Sequence, residues 1–280
     1  MLMADLCATP VRRATGLREF VKRTLPPPLV LILAQLRRTI VRTTYTSPDH
    51  WRSRALRTTG SKVLWGNETY NRLFREIQAR FLQPYVERLP SHAQALDVGC
   101  GVGDVSRLVL SMRPDLSIDA VDLPEMIAAA TRECPLLQIN YIASKAEDFF
   151  DSSKAYHMVI SSGCLAMITD IPKLERAIRN AALMTAPGGV VIMMEPFHTW
   201  RYLARANYGC SQAIHLLSRL GFTLTARSGA LFWPCQPWLT RAELLTSTVE
   251  TRFAQAERML SRLGTSHWAD YHFLIFTRNR

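Results

Sequence analysis

The ten residues from position 95 to position 104 constrain the fold of this chain more than any other segment. An apolar run containing the acid Asp97 leads into three glycines at alternate positions, Gly99, Gly101 and Gly103, and a helical pattern follows. This order is typical of a strand, a tight turn and a helix. Glycine lets the backbone approach a ligand closely, and a helix N-terminus points free N–H groups at it. A glycine-rich turn without a ligand is the other interpretation, because the spacing alone does not define a site.

A second apolar strand follows that helix and ends in Asp122. An acid at this strand tip, about twenty residues past the glycines, is placed to accept hydrogen bonds from ribose hydroxyls. A dinucleotide site fits less well, because its pattern needs a further glycine near Ser106, where none stands. Asp97 is predicted to be a buried carboxylate, and a ligand with an amine or a positive charge would pair with it.

Five short motifs follow one another along the chain: Asp97-Val-Gly-Cys-Gly-Val-Gly103, Val121-Asp122-Leu-Pro, Ala146-Glu147-Asp148-Phe149, Val159-Ile-Ser-Ser-Gly163 and Ala186-Pro-Gly-Gly189. In this order they resemble the motifs of class I S-adenosylmethionine (SAM)-dependent methyltransferases, over roughly residues 93 to 277. The resemblance implies an α/β fold of Rossmann type, with a seven-stranded sheet that is mostly parallel and has an antiparallel last strand. It also implies SAM as cofactor, bound by Asp97, Gly99, Cys100, Gly101, Gly103, Asp122, Leu123, Ala146, Glu147 and Ser161.

One cofactor motif departs from that family. After the third strand, such enzymes often place an acid that accepts from the adenine amino group, followed by a small residue whose N–H meets the ring. The acid position is Lys145 here, and a lysine donates hydrogen bonds but cannot accept them. Glu147 or a backbone carbonyl would then take the role, or adenine recognition is looser.

The alternation of strand and helix patterns predicts a SAM-binding domain at residues 91–280, preceded by a basic extension and helical lid at 1–90. In the lid, Asn67 or Thr69 is predicted to cap a long amphipathic helix, and His50 and Trp51 are the pocket candidates. Strands are predicted at about 93–98, 116–121, 137–143, 156–161, 189–194, 222–231 and 271–277, and helices at about 104–113, 124–134, 172–184, 208–220 and 240–263.

Positive charge is concentrated in the first third of the chain. Residues 1–90 hold 16 Lys and Arg against 6 Asp and Glu, and the whole chain has a net charge of +11. This asymmetry favours an anionic partner, although a solvated basic arm explains it equally well. An apolar and Arg-rich helix is predicted within residues 29–42. Residues 1–42 would then lie on an anionic membrane surface or pack against the main domain.

The location predicted from the sequence is cytoplasmic, with peripheral membrane contact as an option. The six cysteines are scattered and form no C-x-x-C pair, which is typical of reduced intracellular thiols. No apolar run approaches the roughly 20 residues that span a bilayer, and no signal-peptide pattern is visible.

Candidate catalytic residues follow the fifth strand. His198 has the pKa range of a general base, and Glu195 would orient it or pair with an arginine. A loop histidine in water is the competing interpretation. Methyl transfer requires alignment of the reactants and exclusion of water more than a fixed triad. No set of carboxylates resembles the magnesium site of catechol-type methyltransferases, so no metal is predicted.

The predicted function is methyl transfer from SAM to an oxygen or nitrogen of a small-molecule or lipid- or sugar-linked acceptor. A looser resemblance to bacterial surface-polysaccharide and secondary-metabolite methyltransferases indicates a biosynthetic role. An RNA methyltransferase and a non-catalytic SAM-binding regulator or scaffold are the alternatives. Nucleic acid is disfavoured, because Ser161-Ser-Gly-Cys164 lacks the Asn/Asp-Pro-Pro-aromatic loop for a flipped base and the aromatic residues do not interleave with the basic ones.

Overall fold

One seven-stranded sheet organises the part of the chain that the computed structural model describes, residues 47–58, 60–198 and 208–279. The strand order is β3-β2-β1-β4-β5-β7-β6. Strands β1 to β5 pair in parallel, and β7 runs antiparallel to both of its neighbours. The predicted α/β fold with an antiparallel last strand is therefore confirmed. The strands are β1 (Gln94–Val98), β2 (Ser117–Asp122), β3 (Ile139–Ala143), β4 (Tyr156–Ser162), β5 (Thr185–Glu195), β6 (Phe222–Phe232) and β7 (Ala269–Arg278).

Helices connect and cover these strands. The Asn67 side chain accepts a hydrogen bond from the Tyr70 N–H at 3.0 Å, so it is Asn67, of the two predicted residues, that caps the long lid helix. Pro124 begins the helix after β2, as its place in a first helical turn predicts. The helices are α1 (Pro48–Ala55), α2 (Glu68–Val86), α3 (Asp104–Met112), α4 (Pro124–Glu133), α5 (Ile171–Leu183), α6 (Cys210–Arg219), α7 (Gln236–Leu239), α8 (Thr246–Leu263) and α9 (Thr265–Trp268).

Two predicted boundaries are wrong. Helix α8 begins at Thr246, not near 240, because the Asn67 amide donates to the carbonyls of Arg241 and Leu244 and holds that stretch in a turn. Strand β5 begins earlier than predicted, because Thr185 pairs with Tyr156 across a register shift in the β4–β5 ladder.

Apolar side chains pack on both faces of the sheet. Alternate residues of β7 serve opposite faces: Tyr271 and Phe273 join the cluster that contains α2 and α8, whereas Leu274 joins the cluster that contains α5 and α6. Helix α2 thus shares one core with β1, and the ion pair between Arg72 and Glu250 at 2.6 Å connects α2 to α8.

The segment for which membrane contact is predicted, residues 1–42, lies outside the described residues. In the part of the chain that the structure does describe, no helix is both long enough and apolar enough to cross a bilayer.

Candidate functional site

A cavity of about 340 Å³ opens at the carboxyl ends of β1 to β4. Strand β1 lies between β2 and β4, where the direction of strand succession reverses. Open α/β sheets bind ligands in the crevice outside such a switch point, and the volume is typical of small-molecule sites. Seven of the residues predicted to bind the cofactor line this cavity: Gly99, Cys100, Gly101, Asp122, Leu123, Ala146 and Glu147.

The glycine loop is built too tightly for larger residues. Gly99 has a φ of +76°, and a Cβ there would lie 2.2 Å from the Cys164 side chain. Gly101 has a φ of +59°, and a Cβ there would lie 2.5 Å from the Val63 side chain. Both the backbone conformation and the space therefore require glycine. At Gly99 and Gly101 the loop therefore exposes backbone atoms, and no side chain, to the cavity.

Asp122 closes the opposite side of this loop. Its carboxylate accepts hydrogen bonds from the Gly101 N–H at 2.8 Å and from the Leu123 N–H at 2.7 Å. Each carboxylate oxygen keeps further acceptor capacity. Burial raises the pKa of Asp122 to about 6, although the two backbone N–H groups oppose that shift. The site therefore holds a carboxylate that gains from additional hydrogen-bond donors, such as ribose hydroxyls.

The other three predicted cofactor residues lie behind the cavity wall. Asp97 is buried, and its carboxylate accepts a hydrogen bond from Ser106 Oγ at 2.7 Å. Burial raises the pKa of Asp97 to about 6. Gly103 is the N-cap residue of α3. Ser161 is buried and donates to Glu195 at 2.7 Å.

Glu195 organises the loop after β4. Its carboxylate is fully buried and accepts from Ser161 Oγ and from the backbone N–H groups of residues 164–166, the latter at 3.1 to 3.2 Å. Neither His198 nor an arginine is among these donors. The described residues therefore do not show the predicted contact of Glu195 with His198 or with an arginine. The backbone N–H groups of this loop donate to the carboxylate instead.

His198 lies deeper than predicted. It is buried, its Nε2 lies 2.9 Å from Asp270 Oδ1, and it is not among the described residues that line the cavity. The expected place on the rim of the crevice is wrong, since the buried Asp270 of β7 draws the imidazole inward. His272 lies beside it, with ring centroids 6.3 Å apart, and burial lowers the pKa of His272 to about 4. A role for His198 as proton acceptor stays a prediction that the geometry does not favour.

The lid contributes residues that the sequence only partly indicated. Trp51 lines the cavity, as a pocket candidate should, whereas His50 is not among its lining residues. Arg54 lies with its guanidinium 5.5 Å from the Trp51 ring centroid and donates to the Ser61 carbonyl at 2.7 Å. This bond ties the loop after α1 to the helix, and that loop passes over Gly101.

Arg75 of α2 is a cavity residue that sequence reasoning missed. It donates to Gln78 at 2.7 Å and to Asp104 at 3.0 Å, while its Nε is buried without a hydrogen-bond partner among the described residues. The sequence carried one signal for Arg75 as a site residue. This arginine lies outside the apolar stripe of a helix that was predicted to cover the site. Trp65 and Tyr271 were missed as well; their rings lie 6.0 Å apart and form an aromatic corner of the cavity.

The described residues contain no group of three or more His, Cys, Asp or Glu that could hold a metal ion.

The sheet order, the glycine loop and the acid at the β2 tip together define a nucleoside-binding domain of the Rossmann type. Residues 95–189 match the model of the methyltransferase domain family. The chain is 27% identical over 138 residues to trans-aconitate 2-methyltransferase of Variovorax paradoxus; this match covers 47% of the chain and 50% of that protein. The chain therefore aligns with only half the length of this curated relative.

Solved structures share the fold at low sequence identity. The N-methyltransferase NodS from Bradyrhizobium japonicum, in complex with S-adenosylhomocysteine (SAH), has a TM-score of 0.56 at 16% identity, covering 82% of this chain and 97% of that one. Phosphoethanolamine N-methyltransferase 2 from Haemonchus contortus, in complex with SAM, has a TM-score of 0.51 at 15% identity, covering 73% and 53%. The family match over residues 95–189, together with the shared fold, supports a class I SAM-dependent methyltransferase domain, a transferase class whose cofactor is SAM.

Proposed function

We propose that this chain transfers the methyl group of SAM to an oxygen or nitrogen of a small-molecule acceptor, which includes lipid- or sugar-linked molecules. The bond from Gly101 N–H to Asp122, at the switch point of the sheet, is the observation that carries the proposal. It brings the glycine loop and the ribose-binding acid into one cavity.

The residues present fit SAM at four points. The bare Gly99–Gly101 backbone gives a cradle that a Cβ would fill. Asp122 supplies acceptors for ribose hydroxyls, and the partnerless Nε–H of Arg75 supplies a donor for the cofactor's carboxylate. Leu123 and Ala146 give the apolar surface on which a base lies. SAM, when bound, supplies a methyl group on a sulfonium leaving group that is already activated.

The protein's own part in the reaction is alignment and the exclusion of water. Trp65 and Tyr271 form an aromatic wall on the side of the cavity nearest β7, and Trp51 covers it from α1. Glu195 holds the loop after β4 rigid through four hydrogen bonds, so the cavity floor at Cys164 keeps its shape.

The relatives support both acceptor atoms. One is named for trans-aconitate, and others are N-methyltransferases by name. A direct experiment incubates the purified chain with methyl-labelled SAM and a panel that contains trans-aconitate, phosphoethanolamine and extracted small-molecule and lipid fractions. The expected result is label in a small-molecule or lipid product together with SAH, and much less of both with an Asp122→Asn variant when SAM is limiting.

Other outcomes of that experiment discriminate between classes. Label in RNA alone would replace the proposal with an RNA methyltransferase. Tight SAH binding with no labelled product in any fraction would favour a regulatory or scaffold protein. A biosynthetic role follows only if the labelled product is an intermediate and not a degradation product.

A cytoplasmic location with peripheral membrane contact belongs to the same proposal. The net positive charge of residues 1–90 supports it. Flotation of the full chain with acidic and neutral vesicles tests the contact, with a variant lacking residues 1–42 as control. Binding to acidic vesicles that salt and the deletion both abolish is expected, and equal behaviour toward both vesicle types would refute the membrane contact.

A further inference from the structure

The base-binding end of the cavity contains an unusual set of charges. Lys145 stands between β3 and the turn at residues 146–148, and it is exposed. Two carboxylates line the same cavity as Lys145, Glu147 from this segment and Asp170 from the N-cap position of α5. Because a lysine only donates, these two acids are the charged acceptors for an amino group on a purine, beside the neutral oxygens of the backbone and of Ser144 and Thr169.

The surroundings of the two acids differ. Glu147 is half-buried, and Asn180 of α5 donates to the Glu147 carbonyl at 3.2 Å and to the Phe149 carbonyl at 3.1 Å. These two bonds fix the backbone that presents Glu147 to the cavity. Glu147 also lies close enough to Cys164, which lines the cavity, to act on it electrostatically. Burial is the main cause of the raised pKa of the Cys164 thiol, and nearby carboxylates, Glu147 among them, raise that pKa further.

The carboxylate of Asp170 already has partners within its own helix, α5. One carboxylate oxygen accepts from the Lys173 N–H at 3.1 Å, as an N-cap does, and the other lies 4.0 Å from Lys173 Nζ. Half of its side chain is exposed to solvent. Glu147 has neither an N-cap bond nor an ion pair among the described contacts, so it is the acid with acceptor capacity to spare.

We propose that Glu147 accepts the hydrogen bond from the exocyclic amino group of the cofactor's purine, in place of the acid whose position Lys145 occupies. The cavity thereby selects a 6-aminopurine over a 6-oxopurine. The inference rests on the proposed function, because it takes SAM or its product SAH as the occupant. A carboxylate that faces a 6-oxo group meets a second acceptor, and the unsatisfied pair disfavours binding.

The test compares SAH with S-inosylhomocysteine, which carries a 6-oxo group in place of the 6-amino group. Calorimetric titration of the full chain gives the ratio of the two affinities. Wild type should prefer SAH by roughly 10- to 100-fold. In Glu147→Gln the ratio should fall by about 10-fold, because the amide can donate to the 6-oxo group.

Asp148→Asn is the matched control. Asp148 is the neighbouring acid, it is exposed, and its carboxylate faces Arg176 at 3.9 Å and not the cavity. Its substitution should leave the ratio unchanged. The double variant Lys145→Asp with Glu147→Gln returns a carboxylate to the position where related enzymes often have one, and it should restore the preference for SAH.

The inference is overturned if Asp170→Asn lowers the affinity ratio while Glu147→Gln does not. It is also overturned if neither substitution changes the ratio, because backbone groups would then recognise the purine. A wild-type chain that binds neither ligand would instead refute the proposed function. Thermal melting of each variant separates loss of selectivity from loss of the fold, because unfolding lowers both affinities together and leaves their ratio unaffected.

Discussion

Asp122 shows how a single carboxylate links local structure to ligand binding. It accepts two backbone hydrogen bonds at the edge of the cavity, yet burial still raises its pKa to about 6. The charged form of Asp122 is thus under-stabilised by the protein alone, and a ligand that donates to it relieves that cost. A carboxylate with this property suits a polyhydroxylated ligand.

The raised pKa gives a pH dependence with a definite sign. Between about pH 4 and 6 the folded chain binds more protons at Asp122 and Asp97 than the unfolded chain, so these groups make the empty protein less stable as the pH rises. SAH affinity should do the opposite and fall as the pH drops through 6, because a protonated Asp122 is a poorer acceptor. Calorimetry at pH 7.5, 6 and 5 measures this, with Asp122→Asn as the control whose affinity varies less. Affinity that is constant over this range in wild type would contradict the assignment.

His198 is expected to matter for stability. Its 2.9 Å contact with Asp270 is buried, and removal of one partner from such a pair commonly costs about 3 kcal/mol of the free energy of unfolding. His198→Ala should therefore lower the urea midpoint, whereas His215→Ala, at an exposed position on α6, should leave it near wild type. If both variants unfold at the wild-type urea concentration, the buried pair contributes no net stability.

Helix α1 is one of the lid elements that reach the cavity, through Trp51. The Ser47 side chain caps it, and Arg52 lies 3.2 Å from Glu125 on α4. This docking places the Trp51 indole on the cavity, whose lining also includes Ala146 and Leu123. Such a position suits an aromatic platform for a base.

Trp51→Ala should weaken SAH binding about 10-fold or more, since base–aromatic stacking contributes roughly 1–3 kcal/mol, and Trp51→Phe should retain most of the affinity. Adenosine, which lacks the amino-acid tail, should show the same loss in calorimetry. Arg52→Ala is the control on the same helix. A loss as large in Arg52→Ala as in Trp51→Ala would mean that helix docking, not the indole, supports binding.

Several elements could be predicted from sequence because their signals are local. The glycine run, the acid at the β2 tip and Pro124 fix the start of the β-α-β unit within neighbouring residues. The start of α8 could not be predicted in this way, since it depends on the Asn67 amide, which bonds to carbonyls 174 and 177 residues away in sequence.

The same limit applies to the site. Arg75 reaches the cavity because it pairs with Asp104, 29 residues further along, and His198 turns inward because Asp270 lies 72 residues further along. Helical or strand periodicity carries no information about such partners. The glycine loop and the acid at the β2 tip line one cavity because they belong to one β-α-β unit, and this much was predictable. The buried contacts of Glu195 and His198 were not, because their partners are distant in sequence.

At the scale of the whole molecule, the segment that matches a known family and the residues that flank it both line one cavity. The segment that matches the methyltransferase family, residues 95–189, supplies the glycine loop and strand tips. Residues on either side of it, Trp51, Arg75 and Tyr271 among them, supply the cover and the aromatic wall. We expect cofactor binding to reside in the family-matching segment and acceptor choice to reside in the flanking residues.

The most direct test of the central claim is a calorimetric titration of SAH into wild type and Asp122→Asn side by side. Wild type should bind one SAH per chain. The variant should melt within a few degrees of wild type and bind more weakly by about 1.5–3 kcal/mol, the range for charge-assisted hydrogen bonds. Absence of SAH binding in wild type, or equal affinity in a folded Asp122→Asn, would contradict the assignment of this cavity as a SAM site.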